Sequence, residues 1–261
     1  MGVLLFLENH SVVHADIKPD NILLVESAEE GRVRVKLCDF GNAVHISEVS
    51  LYYEDFEIQT VAYRAPEVLL GCPFDHAIDM WSAGVVILEL VLGRRLFGTA
   101  DTRDGLVRQM MCAFGPLPLR RFRSGRFFSY FFEDNHSLKD RELEGGGFGC
   151  CCCCLLKPPG VKPEPCAGEC SRTCRCEPTK NVSGPPGVRR LVPQSARSRG
   201  LAPEGLQTLD KVAGLGRLHR LMRAAQIDGP LHERSQLVDL MGKLLHMNPD
   251  DRFSPRQVSS S

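Results

Sequence analysis

The chain has 261 residues, 32 Lys plus Arg against 32 Asp plus Glu, and 43% hydrophobic residues. That length and apolar content allow one or two domains with a real core, and a zero net charge removes the electrostatic case for nucleic-acid or membrane-surface binding. The opening Gly2–Leu7 run has no basic leader and is too short to span a bilayer, so it reads as the end of a buried helix.

Next come three polar motifs: His14-Ala15-Asp16-Ile17-Lys18-Pro19-Asp20-Asn21, Asp39-Phe40-Gly41 and Tyr63-Arg64-Ala65-Pro66-Glu67. Between the first two, Ile22–Val25 is a short β-prone run. Val33, Val35 and Leu37 then alternate with Arg34, Lys36 and Cys38, the period of a half-buried strand. The polar loop Glu26–Arg32 joins them, so a small hairpin is predicted with Asn21 and Asp39 at its ends. Pro66–Leu70 suits a short helix with proline in its first turn. Asp75 is the predicted N-cap of a helix over His76–Leu92, apolar on nearly every side and closed by Gly93. Such a helix belongs in a core, and Asp79 and Glu89 argue against a membrane.

A further helix is expected over Asp101–Phe114. The Arg and Phe residues interleaved from Arg120 to Phe132 fit packing of an amphipathic segment better than RNA stacking. From about Glu144 to Gly200 the composition changes to Gly, Pro, Ser and Arg around five consecutive cysteines at Cys150–Cys154. This stretch lacks periodic apolar residues and is expected to be disordered, either as a native insert or as non-native coding sequence such as a retained intron. Cys166, Cys170, Cys174 and Cys176 do not have the spacing of a paired zinc site, and no His lies near them. Leu206 to Met222 resume a helical spacing interrupted by Gly214 and Gly216. Glu233–His246 is a clearer amphipathic helix with Leu237, Leu240, Met241, Leu244 and Leu245 on one stripe. The chain stops at Ser261, where a final helix is expected to begin.

A single Asp or Asn in a loop is usually a turn former. Together, however, the motifs offer each part that phosphoryl transfer needs: a positioned nucleophile and neutralised phosphoryl charge. Asp16 can accept a hydroxyl proton, and Asp39 is a hard oxygen ligand of the kind Mg²⁺ prefers. Asn21 lies far enough along an extended loop to present its side-chain oxygen to a metal ion.

The three motifs, in this order and at these separations, resemble the catalytic loop, metal-binding turn and activation-segment end of eukaryotic protein kinases. The resemblance implies Asp16 as catalytic base, Lys18 on the transferred phosphate, and Thr60 bridging that Asp and Lys. It implies Asn21 as second-metal ligand and Asp39 as principal Mg²⁺ ligand, with ATP and Mg as cofactors. It also puts Asp79 beneath the catalytic-loop backbone and pairs Arg252 with Glu67. Lys18 and Thr60 favour a serine/threonine kinase. Arg64 and the Ile78-Asp79-Met80-Trp81-Ser82 run resemble the group holding cyclin-dependent, mitogen-activated and dual-specificity tyrosine-regulated kinases. The wording from His14 to Asn21 is most similar to its pre-mRNA-processing branch.

The fold so implied is mainly α with a small β hairpin, a kinase large lobe lacking the N-terminal lobe. It divides into residues 1–143, an insert over 144–200, and the rest of the lobe over 201–261. Partners are expected to be protein substrates, without nucleic acid or membrane, inside the cell in nucleus or cytoplasm. Two departures bear on mechanism. Ala15 replaces the family's usual Arg, which grips an activation-segment phosphate. Glu57 stands where relatives carry an activating tyrosine, either holding the segment with Asp55 against a base such as Arg64 or lying in a solvated acidic loop. The alternative function is a catalytically silent kinase-like binding module.

Overall fold

A computed structural model describes residues 1–25, 34–53, 58–97, 103–134, 138–139 and 231–260. Helix α1 (Gly2–Asn9) turns Leu4 and Leu7 into the core and Val3 and Phe6 outward. A two-residue strand β1 (Val12–Val13) pairs antiparallel with β4 (Val44–His45), a contact too short to leave a period in the sequence. Between them, β2 (Ile22–Val25) and β3 (Arg34–Leu37) form the predicted antiparallel hairpin, with Ile22 opposite Leu37. Its burial departs from expectation. Leu23, Leu24 and Val35 are 50%, 77% and 58% exposed, because the ribbon meets the core only at its Ile22–Leu37 end.

Short helix α2 (Pro66–Leu69) leads into α3 (Ala77–Leu92), the axis of the fold. The predicted cap needs correction. The helix starts one residue late, at Ala77, and the N-cap position belongs to His76. Asp75 Oδ1 instead accepts the Ala77 N–H at 2.8 Å, which still satisfies one donor of the first turn. Gly93 closes α3 at φ +63, a conformation that favours glycine. Ile78, Trp81, Val85 and Leu88 are wholly buried.

Helix α4 (Arg103–Phe114) is followed by α5 (Leu119–Phe122) and α6 (Phe128–Phe131). Phe122 and Phe131 are wholly buried, so this stretch packs as expected. Helix α7 (Leu231–Leu244) lies on α3 through Val238, Met241, Leu244 and Leu245. The approach is close at Gly84, where a Cβ would meet Leu245 Cδ2 at 2.9 Å and Leu244 Cβ at 3.0 Å. The final helix was expected to begin only at Ser261. It forms earlier, as α8 (Pro255–Ser260), because it docks on α1, with Arg256 donating to Asn9 at 2.9 Å. The proposed insert, the Cys166–Cys176 group and the Leu206–Met222 pattern lie outside the described residues. Among those described, no helix is long and apolar enough to cross a membrane.

Candidate active site

The site is built on a loop that α3 holds from beneath. Asp79, buried in the first turn of that helix, accepts the backbone N–H of His14 at 2.7 Å and of Ala15 at 3.0 Å. Burial pushes its carboxyl up to about 7 against the pull of those two donors. The double anchor lets buried Ala15 sit at φ +62, a left-handed conformation that costs a non-glycine residue about 1 to 2 kcal/mol. The chain turns sharply there and presents the buried Asp16 to Lys18 and Thr60.

His14 is the second support. The Asp16 N–H donates to His14 Nδ1 at 3.2 Å, so the neutral ring carries its proton on Nε2, which lies 3.1 Å from Cys38 O. Burial, above all, holds this imidazole below its ordinary pKa. A second proton on Nδ1 would also face the Asp16 N–H. Phe40 packs edge-on against the same ring at 4.8 Å.

Around Asp16 the predicted residues converge. Lys18 Nζ donates to Asp16 Oδ2 at 2.7 Å and to Thr60 Oγ at 3.1 Å. Thr60 donates to Asp16 Oδ1 from its hydroxyl at 2.7 Å and its backbone N–H at 3.2 Å. Burial pushes the Asp16 carboxyl up, but the Lys18 and Thr60 hydrogen bonds outweigh it and hold the group below the usual carboxylate value. Asp16 is therefore kept ionised.

The hairpin brings in the remaining two. Asn21 donates from Nδ2 to Asp16 O at 2.8 Å and Asp16 Oδ2 at 3.3 Å, which turns its amide oxygen the other way. The Cys38 N–H donates to Asn21 O at 2.9 Å, tying that residue to the one before Asp39. Asp39 sits at φ +60 and accepts the Gly41 N–H at 3.3 Å. Both Asp16 and Asp39 lie close enough to act electrostatically on His14. The Asn21 amide oxygen accepts no hydrogen bond among the described residues, and oxygen donors of this kind are what Mg²⁺ takes when phosphates and water complete its shell. The protein kinase domain family matches residues 1–261. This chain belongs to that family.

Among its relatives, homeodomain-interacting protein kinase 1 of Caenorhabditis elegans is 38% identical over 147 residues, 56% of this chain and 17% of that protein. Homeodomain-interacting protein kinase 2 of Mesocricetus auratus is 47% identical over 103 residues, 39% of this chain and 8% of that protein. A probable dual specificity protein kinase YAK1 homolog of Encephalitozoon cuniculi is 37% identical over 128 residues, 49% of this chain and 30% of that protein. The kinase domain thus aligns with less than a third of each relative's length.

Sequence reading missed the buried hub of the kinase domain. Gln59, at φ +61, donates from Nε2 to Ser82 Oγ at 2.7 Å and Ile78 O at 3.0 Å and accepts the Ala65 N–H at 2.9 Å. It locks Thr60 to α3. Its only signal was its place beside Thr60. Arg64 is buried and donates from Nε to Ile58 O at 2.8 Å and from the guanidinium to Gln59 O at 2.7 Å. Asp55 and Glu57, its expected acidic neighbours, lie outside the described residues. Glu89 accepts the Tyr63 hydroxyl at 2.9 Å and the Leu96 N–H at 2.8 Å. Burial, then that carboxylate, push the phenol pKa up.

Arg252 meets Glu67 as expected, at 2.6 and 3.1 Å, with both side chains fully buried. The same guanidinium donates to Ala77 O at 2.8 Å and His246 O at 3.0 Å and lies 5.2 Å over the Trp81 ring.

Proposed function

We propose that the chain supplies the large lobe of a serine/threonine protein kinase that moves the γ-phosphoryl group of ATP to Ser or Thr hydroxyls of protein substrates. The observation that carries this reading is the clamp on Asp16, whose two carboxylate oxygens are held by Lys18 and by Thr60. Asp16 so held is ionised and oriented, ready to accept a hydroxyl proton. Lys18, bridging Asp16 and Thr60, stands ready to shift its charge to an incoming phosphoryl group. Asn21 and Asp39 would hold Mg²⁺, which supplies neutralisation of phosphate charge when bound. Leu23 on one face of the ribbon, Leu24 opposite Val35 on the other, and Phe40 are all exposed, and they offer apolar surface suited to a purine base and an opposing lobe.

Similarity to a homeodomain-interacting protein kinase and to a probable dual specificity YAK1 homolog supports a subgroup reading beside those two kinases. An intracellular setting in nucleus or cytoplasm goes with that reading. Residues 1–143 and 201–261 form one lobe, with 144–200 as an insert; Arg252 reaching Glu67 across 185 positions supports a single unit.

The test uses labelled ATP, Mg²⁺ and a basic protein acceptor. The chain alone gives no transfer above background, whereas the chain in continuity with an N-terminal kinase lobe gives measurable transfer. Asp16→Asn in the two-lobe protein lowers kcat by about 10² to 10⁴ with little change in the KM for ATP. Full activity in that variant would reject Asp16 as the base.

A further inference from the structure

Away from the catalytic cluster, the described residues line a half-open pocket of about 550 Å³, a volume within the range of small-molecule sites. It lies where the end of α1, the segment after β4, the start of α3 and the turn into α8 meet. None of Asp16, Lys18, Asn21, Asp39 or Thr60 lines it. Its wall is mixed, with an apolar part from Ile46, Val49, Phe74, Met80 and Phe253.

The charge in that wall does not balance. Its two strong bases are committed, Arg252 to buried Glu67 at 2.6 Å and Arg121 to Asp250 at 2.8 Å. Two further carboxylates, Glu8 and Asp75, have no Lys or Arg partner in the lining. Glu8 Oε2 and His76 Nε2, both on lining residues, are buried without any hydrogen-bond partner. Buried polar groups are normally satisfied, so Glu8 Oε2 calls for a donor and His76 Nε2 for a polar partner. An anion would meet Glu8 and Asp75. A metal ion is a poor fit, since the described residues contain no group of three His, Cys, Asp or Glu able to hold one.

We infer that this pocket binds a small organic monocation, an amine on an apolar body, with the ammonium on Glu8 and the body against Ile46, Val49 and Phe74. The occupant would join two parts of the lobe that matter to the catalytic residues. Val49 and Tyr53 belong to the segment leading toward Thr60, and Arg252 and Phe253 belong to the tie that closes the fold.

The test titrates the full chain with 4-phenylbutylamine, 4-phenylbutan-1-ol and 4-phenylbutyrate. The readout is fluorescence of Trp81, the single tryptophan, whose ring lies 5.2 Å from the Arg252 guanidinium. The amine should saturate and bind at least about tenfold tighter than the alcohol, with the acid weakest, as a charge-assisted hydrogen bond requires. Glu8→Gln, which keeps the side-chain shape, should bring the amine down to the level of the alcohol while far-UV circular dichroism stays unchanged. The three-probe ranking on the wild-type chain decides the matter even if that variant folds poorly. Equal binding of amine and acid, or undiminished amine binding by Glu8→Gln, overturns the inference. So does no saturation at millimolar concentration, which would leave only water on these atoms.

Discussion

Replacing Arg252 with Ala strips the cation from a pair in which both side chains are 0% exposed. Glu67 is then left charged in the core, and Ala77 O and His246 O lose donors at 2.8 and 3.0 Å. Breaking one partner of a buried pair costs about 3 to 5 kcal/mol. With a urea slope of about 2 kcal/mol/M, a loss of about 4 kcal/mol lowers the unfolding midpoint by about 2 M. Trp81 reports the transition, since it packs under the same guanidinium. The double variant Arg252→Met with Glu67→Leu removes both charges and fills the space, so it should recover most of the loss. A midpoint shift under about 0.5 M for Arg252→Ala, or a double variant as unstable as the single one, would refute the argument. The first result would mean that residues 231–260 do not rely on this contact to dock, and the second that an apolar pair cannot take its place.

Asp79→Ala strands two backbone donors beneath the catalytic loop and should cost about 2 to 4 kcal/mol in urea unfolding; a cost below about 1 would show that water replaces the carboxylate. Gly84→Ala gains about 1 kcal/mol of helix propensity but must displace Leu244 at its Cβ, next to the backbone, where it cannot swing aside. Overpacking of about 1 to 3 kcal/mol wins, so a stabilised variant would contradict the close approach of α3 and α7. The pH dependence has a worked sign. His14 has a folded pKa below its unfolded value of about 6.5, so its contribution is complete above that pH and is lost as pH falls. The stability advantage of the wild type over His14→Phe should therefore shrink between pH 7.5 and 5.5, and a constant or growing gap in urea midpoints would contradict a buried neutral ring.

The element order was readable because each signal is local. Alternation marked the β2–β3 hairpin, Gly93 marked the end of α3, and the stripe from Leu237 to Leu245 marked α7. The mistakes were also local. Burial of the hairpin was inferred from its period, yet a period reports alternation and not whether anything covers a face. The cap of α3 moved by one residue because Asp75 can satisfy the first turn from either of two positions. Helix α8 was missed because six residues carry little periodicity and gain their order from α1.

The candidate site divides the same way. The chain itself determines which acids, amides and bases are available and that Asn21 and Asp39 flank one hairpin. Only the folded chain determines that Thr60 reaches Asp16 over 44 positions, that Asp79 supports His14 over 65, and that Arg252 neutralises Glu67 over 185. Contacts at such separations depend on how α3 is buried, and burial is a property of all the surrounding elements at once. Gln59 shows the difference most plainly: an ordinary polar residue in the sequence, it becomes a buried hub once α3 supplies Ile78 O and Ser82 Oγ.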